Sequence, residues 1–494
     1  MTLRCLFVDF NSFFAAVEQQ DEPRLRGRPV GIVPVMSPTT CCIAASAEAK
    51  DYAVRTGTPV WEAVEKCPGI ILVEARPARY VELHHRLMNA IGDCIPHGKA
   101  ESIDEVPCWL VGRERERDNA IGIAHAIKRR ISDEFDWIKC SIGIAPNRFL
   151  AKTASDMSKR DGLTVLAEDD LPHALHVLEL RDFCGIGPSM EQRLRKAGIH
   201  TAEQLCAATR EHLRAAWGSL EGERYWMQLR GHAVPERSTR KSSIGHSHVL
   251  DPALRTFGGA RAVLFKLLAK AAMRLRDGRG GEGPFLAAGM SIRIRFVGME
   301  HRFERDLRFA PIDDTPALLQ LLAGELASLE SAMQRGRWNA RRNPPLSVAV
   351  TLVDIELRGQ SSGELMPSRR RDRQMTEALD RINRKYGNNT LFFGAMHDAI
   401  SRGAAPMRIP FQAIPERERD EDVLTRANAP DSAEALYLLR ERQFKVLAEA
   451  SHREAQRRGR TTRGGNAPRA GAGGWGVSAK PSDDAARPAQ RTLF

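Results

Sequence analysis

The period of the hydrophobic positions changes several times along this chain, and each change marks an element. Leu3 to Val8 is a short, nearly continuous apolar run suited to a buried strand, and Asp9 closes it. Phe13, Phe14 and Val17 then recur at helical spacing. Arg28 to Val35 and Thr40 to Ala45 read as two further strands around a Ser37-Pro38 turn. Ala47 to Lys66 carries helix signals interrupted at Gly57 and Pro59, and Tyr80 to Ile95 is amphipathic at helical period. Glu101 to Leu110 predicts a strand, Ala120 to Phe135 a helix and Cys140 to Ile144 another strand. Strands and helices thus mix through the first 165 residues, which implies an α/β or α+β core.

From Leu171 to Gly231 the pattern turns to short helices and glycine-centred turns without a strand signal. Residues 232–243 form a polar, basic linker. A second unit follows, with a strand near Ile244 to Leu250 and a long helix from Gly259 to Arg276. Strands at Met290 to Val297 and Arg302 to Phe309, a helix from Pro316 to Gln334 and a strand from Leu346 to Leu357 complete a β-α-β-β-α-β order. Beyond about Glu416 the globular pattern fades. One amphipathic helix is predicted there, opened by Asp431 and Glu434 at capping-box spacing and carrying Leu436, Leu439 and Leu447. After Arg453 the chain is rich in Arg, Gly, Ala and Pro, a composition expected to stay disordered.

With 494 residues the chain is too long for one core, and two to four domains are expected. The 42% of hydrophobic residues is enough to bury a real interior. A formal charge of +12 points to a polyanionic partner, because each Lys or Arg set on a phosphate releases a counterion. The nine cysteines are unpatterned and odd in number, which argues against a disulfide framework or a zinc site and for reduced, buried thiols. The N-terminus does not read as a signal peptide, and no apolar run reaches the ~18 residues that span a bilayer. A cytoplasmic, nucleoid-associated protein with no membrane partner is therefore expected.

Four places carry candidate chemistry. Asp9 ends an apolar strand, and Asp104 and Glu105 lie in Glu101-Ser102-Ile103-Asp104-Glu105. Hard divalent cations seek such anionic oxygens, although ordinary exposed acids would look the same one at a time. Neighbouring residues on a strand face opposite ways, so Asp104 and Glu105 reach one metal pair only where the strand bends or ends. Second, Ser141 to Lys159 reads as a strand turning through Pro146-Asn147 into a helix that carries Arg148, Lys152 and Lys159. Those cations suit either a triphosphate or a solvated helix face. Third, Phe183-Cys184-Gly185-Ile186-Gly187-Pro188, followed by a helix and Lys196-Ala197-Gly198-Ile199, has the form of a helix-hairpin-helix. Its glycines would let backbone N–H groups approach a DNA phosphate, and a plain turn is the alternative. Fourth, Met290, Ile292, Ile294 and Phe296 alternate with Ser291, Arg293 and Arg295, giving a sheet with one apolar and one cationic face. Glu304 and Asp306 on the next strand dilute that charge.

Taken in this order, the motifs resemble the Y-family, or translesion, DNA polymerases. The match runs from about Leu3 to Leu357, with Phe7 to Glu18, Ser102 to Glu105, Ser141 to Lys159 and Phe183 to Gly198 as separate blocks. The resemblance implies an α+β multidomain right hand. Palm would be 1–20 and 75–165, small fingers 21–74, and a helical thumb with its helix-hairpin-helix 166–231. The linker 232–243 would lead to a β-α-β-β-α-β little finger at 244–358, a C-terminal extension at 359–415 and a mostly disordered tail at 416–494. It further implies low-fidelity, template-directed nucleotidyl transfer in DNA repair. Two Mg2+ ions, with Mn2+ as the alternative, would sit on Asp9, Asp104, Glu105 and the Phe10 carbonyl. Substrate dNTP would meet Phe13, the steric gate Phe14, Cys41, Ile43, Lys50 and Lys159. Primer-template DNA would meet Gly185, Ile186, Gly187, Arg293 and Arg295.

The sequence departs from the family at three points. Where relatives commonly carry Tyr and Arg on the triphosphate, this chain has Ala47 and Lys50 in Ala45-Ser46-Ala47-Glu48-Ala49-Lys50. Loss of a hydrogen bond to a charged phosphate costs about 1.5–3 kcal/mol, so weaker nucleotide binding is expected. Asn11 replaces an acid often found there. The final Gln490-Arg491-Thr492-Leu493-Phe494 resembles a sliding-clamp peptide, with Gln490, Leu493 and Phe494 as the plugs and the tail as tether. Residues 359–415, with Tyr386-Gly387-Asn388-Asn389-Thr390, resemble an extension of some bacterial relatives without an evident chemical role. A monomer apart from the clamp is expected. The competing readings are a catalytically inactive accessory subunit of a mutagenesis complex and a plain DNA-binding protein. Retention of all three acids disfavours both.

Overall fold

The fold is taken from a computed structural model that describes residues 3–235, 242–277, 284–298, 302–332, 343–360, 367–404 and Phe411. The linker residues 236–241, the helix expected from Asp431, the tail and the terminal peptide at Gln490, Leu493 and Phe494 lie outside the described residues.

The chain begins with β1 (Cys5–Phe10), α1 (Phe13–Asp21), β2 (Val30–Val33), β3 (Ala44–Ala45), α2 (Ala47–Asp51), α3 (Val60–Lys66) and β4 (Ile71–Glu74). It continues through α4 (Pro77–Gly92), β5 (Glu105–Trp109), α5 (Arg117–Glu134), β6 (Cys140–Ala145), α6 (Arg148–Met157) and β7 (Leu163–Val165). β1 is buried along its whole length, which is why it reads as an unbroken apolar run. It is the second strand of a sheet ordered β5-β1-β6-β7, antiparallel to both neighbours, with β7 parallel to β6. A smaller sheet, β3-β2-β4, has its own apolar cluster around Cys42, Val60 and Leu72. Its strands are short: most of the strand expected over Thr40 to Ala45 is loop, and β4 escaped the sequence reading.

α6 lies almost against the backbone of β6. A Cβ at Gly143 would fall 2.0 Å from the Ala151 carbonyl oxygen and 2.4 Å from the Ser155 nitrogen, so only glycine permits this approach. Asn147 caps α6 by accepting from the Leu150 N–H at 2.8 Å. Its amide nitrogen donates to the carbonyls of Gln228 (2.8 Å) and His232 (3.0 Å), tying the start of the linker to the sheet.

Four short helices follow: α7 (Pro188–Lys196), α8 (Ala202–Ala207), α9 (Arg210–Trp217) and α10 (Glu221–Leu229). Their apolar faces share one cluster with Cys5, Phe7, Phe149 and Leu150, so this helical unit packs on the sheet through α6. The last unit contains β8 (Ser243–Val249), α11 (Phe257–Asp277), β9 (Phe285–Phe296), β10 (Phe303–Ile312), α12 (Thr315–Ala332), β11 (Pro345–Leu357), α13 (Pro367–Tyr386) and α14 (His397–Ser401). The sheet order is β10-β9-β11-β8, antiparallel throughout. Met290, Ile292 and Ile294 are buried in the same cluster as α11, while Arg293 and Arg295 are exposed, as the alternation requires.

The segment after β11 completes this unit. Met396, Ala399, Ile400 and Ala404 enter the cluster built on α11 and the sheet. Arg276 of α11 forks the Asp380 carboxylate of α13 at 2.7 and 2.9 Å, a paired geometry that suits a mostly buried charge. The unit meets the small sheet through Arg255, which donates to Thr39 Oγ1 at 2.7 Å and Ser37 Oγ at 2.9 Å. All nine cysteines are unpaired; six are buried, Cys41 and Cys94 are half-buried, and Cys184 is exposed, unlike the buried thiols expected. Among the described residues, no helix is long and apolar enough to cross a membrane.

The α6–β6 contact sets a stability prediction. Gly143→Ala is expected to lower unfolding free energy by about 1–3 kcal/mol, because backbone atoms must move apart. Gly122→Ala, in α5 with nothing within 4 Å of the new methyl, is expected to stabilise by about 0.5–1 kcal/mol. Urea denaturation of both variants checks this, and equal effects would contradict it.

Candidate active site: acids, lysines and an aromatic floor

Asp9 and Glu105 are register partners on β1 and β5. Antiparallel partners stand about 4.5–5.5 Å apart at Cα, so two acids distant in sequence become neighbours. Asp104 lies in the turn before β5, and its carbonyl accepts from the Phe10 N–H at 2.8 Å. The strand predicted from Glu101 therefore starts only at Glu105, and this late start frees Asp104 from strict alternation. Its carboxylate accepts from Ser102 Oγ at 2.5 Å.

Two lysines face these acids. Lys152 on α6 places its ammonium 2.5 Å from Asp9 Oδ2, 2.9 Å from Glu105 Oε1 and 3.2 Å from Asp156 Oδ1. Lys159, just past the end of α6, lies 2.8 Å from Asp9 Oδ2 and 2.6 Å from Asp156 Oδ1. Burial opposes charge on Lys152, but Asp9 and Glu105 hold it well above the ordinary lysine range. Burial raises the Asp104 carboxyl, helped by the charge of Asp9 and opposed by the Ser102 hydrogen bond. Burial also raises Glu105, with Lys152 opposing and Asp104 and Asp9 adding.

Around this centre, Lys50 of α2 donates to Ser12 Oγ at 2.8 Å. Partial burial and the neighbouring Lys159 lower its pKa, with Asp9 opposing. Ser12 itself takes a left-handed backbone (φ 50°) in the tight turn from β1 to α1. Asn11 needs both of its amide atoms: it donates to Ser141 Oγ (3.0 Å) and accepts from the Asp161 N–H (2.7 Å). A carboxylate has no N–H for the first bond, so an acid here would lose it.

Below the acids, Phe14 stacks on Tyr80 with ring centroids 4.3 Å apart at 14°. Tyr80 donates to Glu18 Oε1 at 2.9 Å, and Arg76 holds both oxygens of Glu18 at 3.0 and 3.1 Å. This buried, satisfied network fixes the ring under the site. Phe13 and Phe10 belong to the core beside it. Cys41 and Ile43 are half-buried near β3, and Cys41 bridges to Pro59.

The remaining predicted residues belong to other elements. Gly185 has φ 85°, a conformation that favours glycine, at the hairpin before α7. Ile186 is buried in the helical cluster, and its N–H donates to the Phe183 carbonyl at 3.1 Å. Arg293 is paired with Glu304 at 2.6 Å, while burial raises the Cys41 thiol against the opposing charge of the exposed Arg295. The sequence reading missed the Glu18–Arg76–Tyr80 support and the central place of Lys152. The four-residue spacing of Lys152 and Asp156 on one helix face was the available signal.

Three carboxylates with hard oxygen donors, countered by two ammonium groups, form the donor chemistry a divalent ion requires. Their side chains are turned to the lysines and Ser102, and among the described residues no group of three His, Cys, Asp or Glu converges as a finished metal site.

Comparison with known proteins adds to this. The impB/mucB/samB family matches residues 8–156, and that family's C-terminal domain matches residues 241–365. The DNA polymerase IV of Moorella thermoacetica is 31% identical over 408 residues, covering 80% of this chain and 95% of its own length. The DNA polymerase IV 1 of Bacillus subtilis is 28% identical over 397 residues, covering 78% and 92% respectively. A solved Y-family DNA polymerase chimera aligns with a TM-score of 0.58 at 22% identity, over 72% of this chain and 99% of that one, a likeness of fold.

The raised Asp104 carboxyl gives a stability prediction. A folded pKa above the unfolded one means a contribution that is full below the unfolded value and lost as pH rises through the folded one. Asp104→Asn, which stays neutral, is therefore expected to melt higher than wild type at neutral pH in chelator, with the gap closing toward acid. Melting curves from pH 4 to 8 check this, and a lower Tm at neutral pH would contradict it.

Proposed function

This chain belongs to the Y-family of DNA polymerases, and from that membership we propose that Asp9, Asp104 and Glu105 are its metal-binding catalytic acids. It is a DNA-directed DNA polymerase of the translesion class, and divalent-metal dependence is general in the family. The single observation that carries the assignment is the pairing of Asp9 with Glu105, reinforced by the Phe10–Asp104 backbone bond.

The three carboxylates and the Phe10 carbonyl would hold two ions, with Mg2+ favoured by an all-oxygen donor set. Bound there, such ions supply activation of the primer 3′-hydroxyl and charge for the departing pyrophosphate. The protein's own groups prepare the rest. Lys152 neutralises Asp9 and Glu105, which keeps buried acids together without an ion. Lys50 and Lys159 bind the incoming triphosphate from the side of Asp9, two point charges without the bidentate fork an arginine provides. Phe14, held by Tyr80, sets the edge against which the sugar rests. Cys41 and Ile43 form a small roof over the new base pair.

Primer-template DNA would lie against the hairpin backbone at Gly185, Ile186 and Gly187 and the exposed face at Arg295. Arg293 is the weaker candidate of the pair, because Glu304 already neutralises it. The terminal peptide carrying Gln490, Leu493 and Phe494 would recruit a sliding clamp, with a monomeric polymerase behind it.

Two outcomes are expected. With Mg2+, the wild type extends a primed template and Asp9→Ala lowers kcat/KM by about a hundredfold or more, since a metal-held charge is worth several kcal/mol. Unchanged extension by that variant would remove the assignment. Alanine at Gln490, Leu493 and Phe494 together should weaken binding to an immobilised bacterial clamp by about thirtyfold, as loss of anchor residues does. Extension without clamp should stay as in wild type, and unchanged clamp binding would refute the peptide's role.

A further inference from the structure

Phe411 belongs to none of the described helices or strands, yet it touches the floor of the active site twice. Its carbonyl accepts from the Ile103 N–H at 2.9 Å, one residue before Asp104. Its ring lies 5.5 Å from that of Phe14, tilted by 44°. The Ile103 carbonyl is engaged by His84 Nδ1 at 2.7 Å, so both backbone groups of Ile103 are fixed, one of them by Phe411. Phe14 therefore has Tyr80 stacked on it at 4.3 Å and Phe411 as a further aromatic neighbour. With these rings in place Phe14 is only 4% exposed, whereas Phe411 is 39% exposed. Of the three rings, Phe411 is thus the one that keeps exposed aromatic surface.

The ring is delivered by the last folded unit. Ala404 is buried in the cluster of α11, and the buried Lys266 ammonium donates to its carbonyl. Seven residues on, Phe411 is anchored at Ile103, a span of at most about 25 Å of extended chain. A residue that follows the second unit in sequence so reaches the catalytic floor of the first.

We propose that Phe411 is a specificity-determining residue for the nucleotide sugar, forming with Phe14 and Tyr80 one aromatic wall that rejects a ribose 2′-hydroxyl. This rests on the reading of Phe14 as the steric gate. An apolar wall disfavours an extra hydroxyl in two ways: the group is stripped of water without a partner, and the ring has nowhere to move. Phe411 does the second by filling the space beside Phe14, and the first by adding apolar surface of its own. Its backbone bond at Ile103 also keeps that surface in register with Asp104.

Single-nucleotide insertion by the full chain on a primer-template, with dCTP and with CTP in Mg2+, tests this. The variants are Phe411→Ala, Phe411→Leu and Phe14→Ala. Phe411→Ala is expected to lower the dCTP-to-CTP ratio of kcat/KM about tenfold, within the range by which an apolar pocket rejects a hydroxyl. The loss should come mainly from faster CTP insertion, with Phe411→Leu intermediate. If Phe14→Ala lowers the ratio and Phe411→Ala does not, the inference fails while the gate stands. An unchanged ratio in Phe14→Ala removes the gate itself. Equal acceleration of both nucleotides by Phe411→Ala also overturns the proposal, because the ring would then be a plug. Should Phe411→Ala lose all insertion, Phe411→Leu decides, and a wild-type ratio in it overturns the proposal.

Discussion

The site depends on one strand pairing. β1 runs antiparallel to β5 so that Asp9 faces Glu105, and the Phe10 N–H reaches the Asp104 carbonyl. Burying carboxylates side by side is unfavourable, since each loses water and repels the others. The backbone ladder holds them there, and Lys152 supplies the opposing charge from α6. That lysine reaches the acids because Gly143 lets α6 lie against β6. Glycine, helix, lysine and acid pair form one mechanical chain, and every group assigned to the triphosphate is arranged around its end.

The aromatic floor is built by a different means. Phe14 is positioned through Tyr80, Glu18 and Arg76, which together satisfy one another's polar atoms beneath the ring. Such networks specify a single arrangement when complete and destabilise when broken. With Phe14 as the gate and Cys41 and Ile43 as the roof, as proposed above, strict checking of the sugar and tolerance of an altered base would fall on separate elements: α1 and α4 would carry the floor, and the segment just before β3 the roof.

Much of this was legible in the sequence. β1, β6 and α5 announce themselves through unbroken or periodic apolar runs, and the alternation from Met290 to Phe296 marks a one-faced strand. The freedom of Asp104 from the alternation of its neighbour was not, because period two sends adjacent strand residues opposite ways; β5 starts one residue later than Asp104 and removes that constraint. The small sheet was half-legible, since strands of two to four residues carry too few positions for a period. Residues 359–415 read only as an extension without a chemical role, because Met396, Ala399, Ile400 and Ala404 serve the core of α11 rather than a separate one. The contact between Phe411 and Phe14 leaves no local trace at all: two rings almost four hundred residues apart meet only through the tertiary fold.

Asp9, paired with Glu105 beside Asp104, is proposed to form a two-ion centre. Electron paramagnetic resonance of Mn2+ added to the protein with primer-template and a non-hydrolysable dNTP measures it without any turnover. Two bound Mn2+ per chain are expected in the wild type, with loss of tight binding in Asp9→Asn. Equal Mn2+ stoichiometry and affinity in both proteins would contradict it.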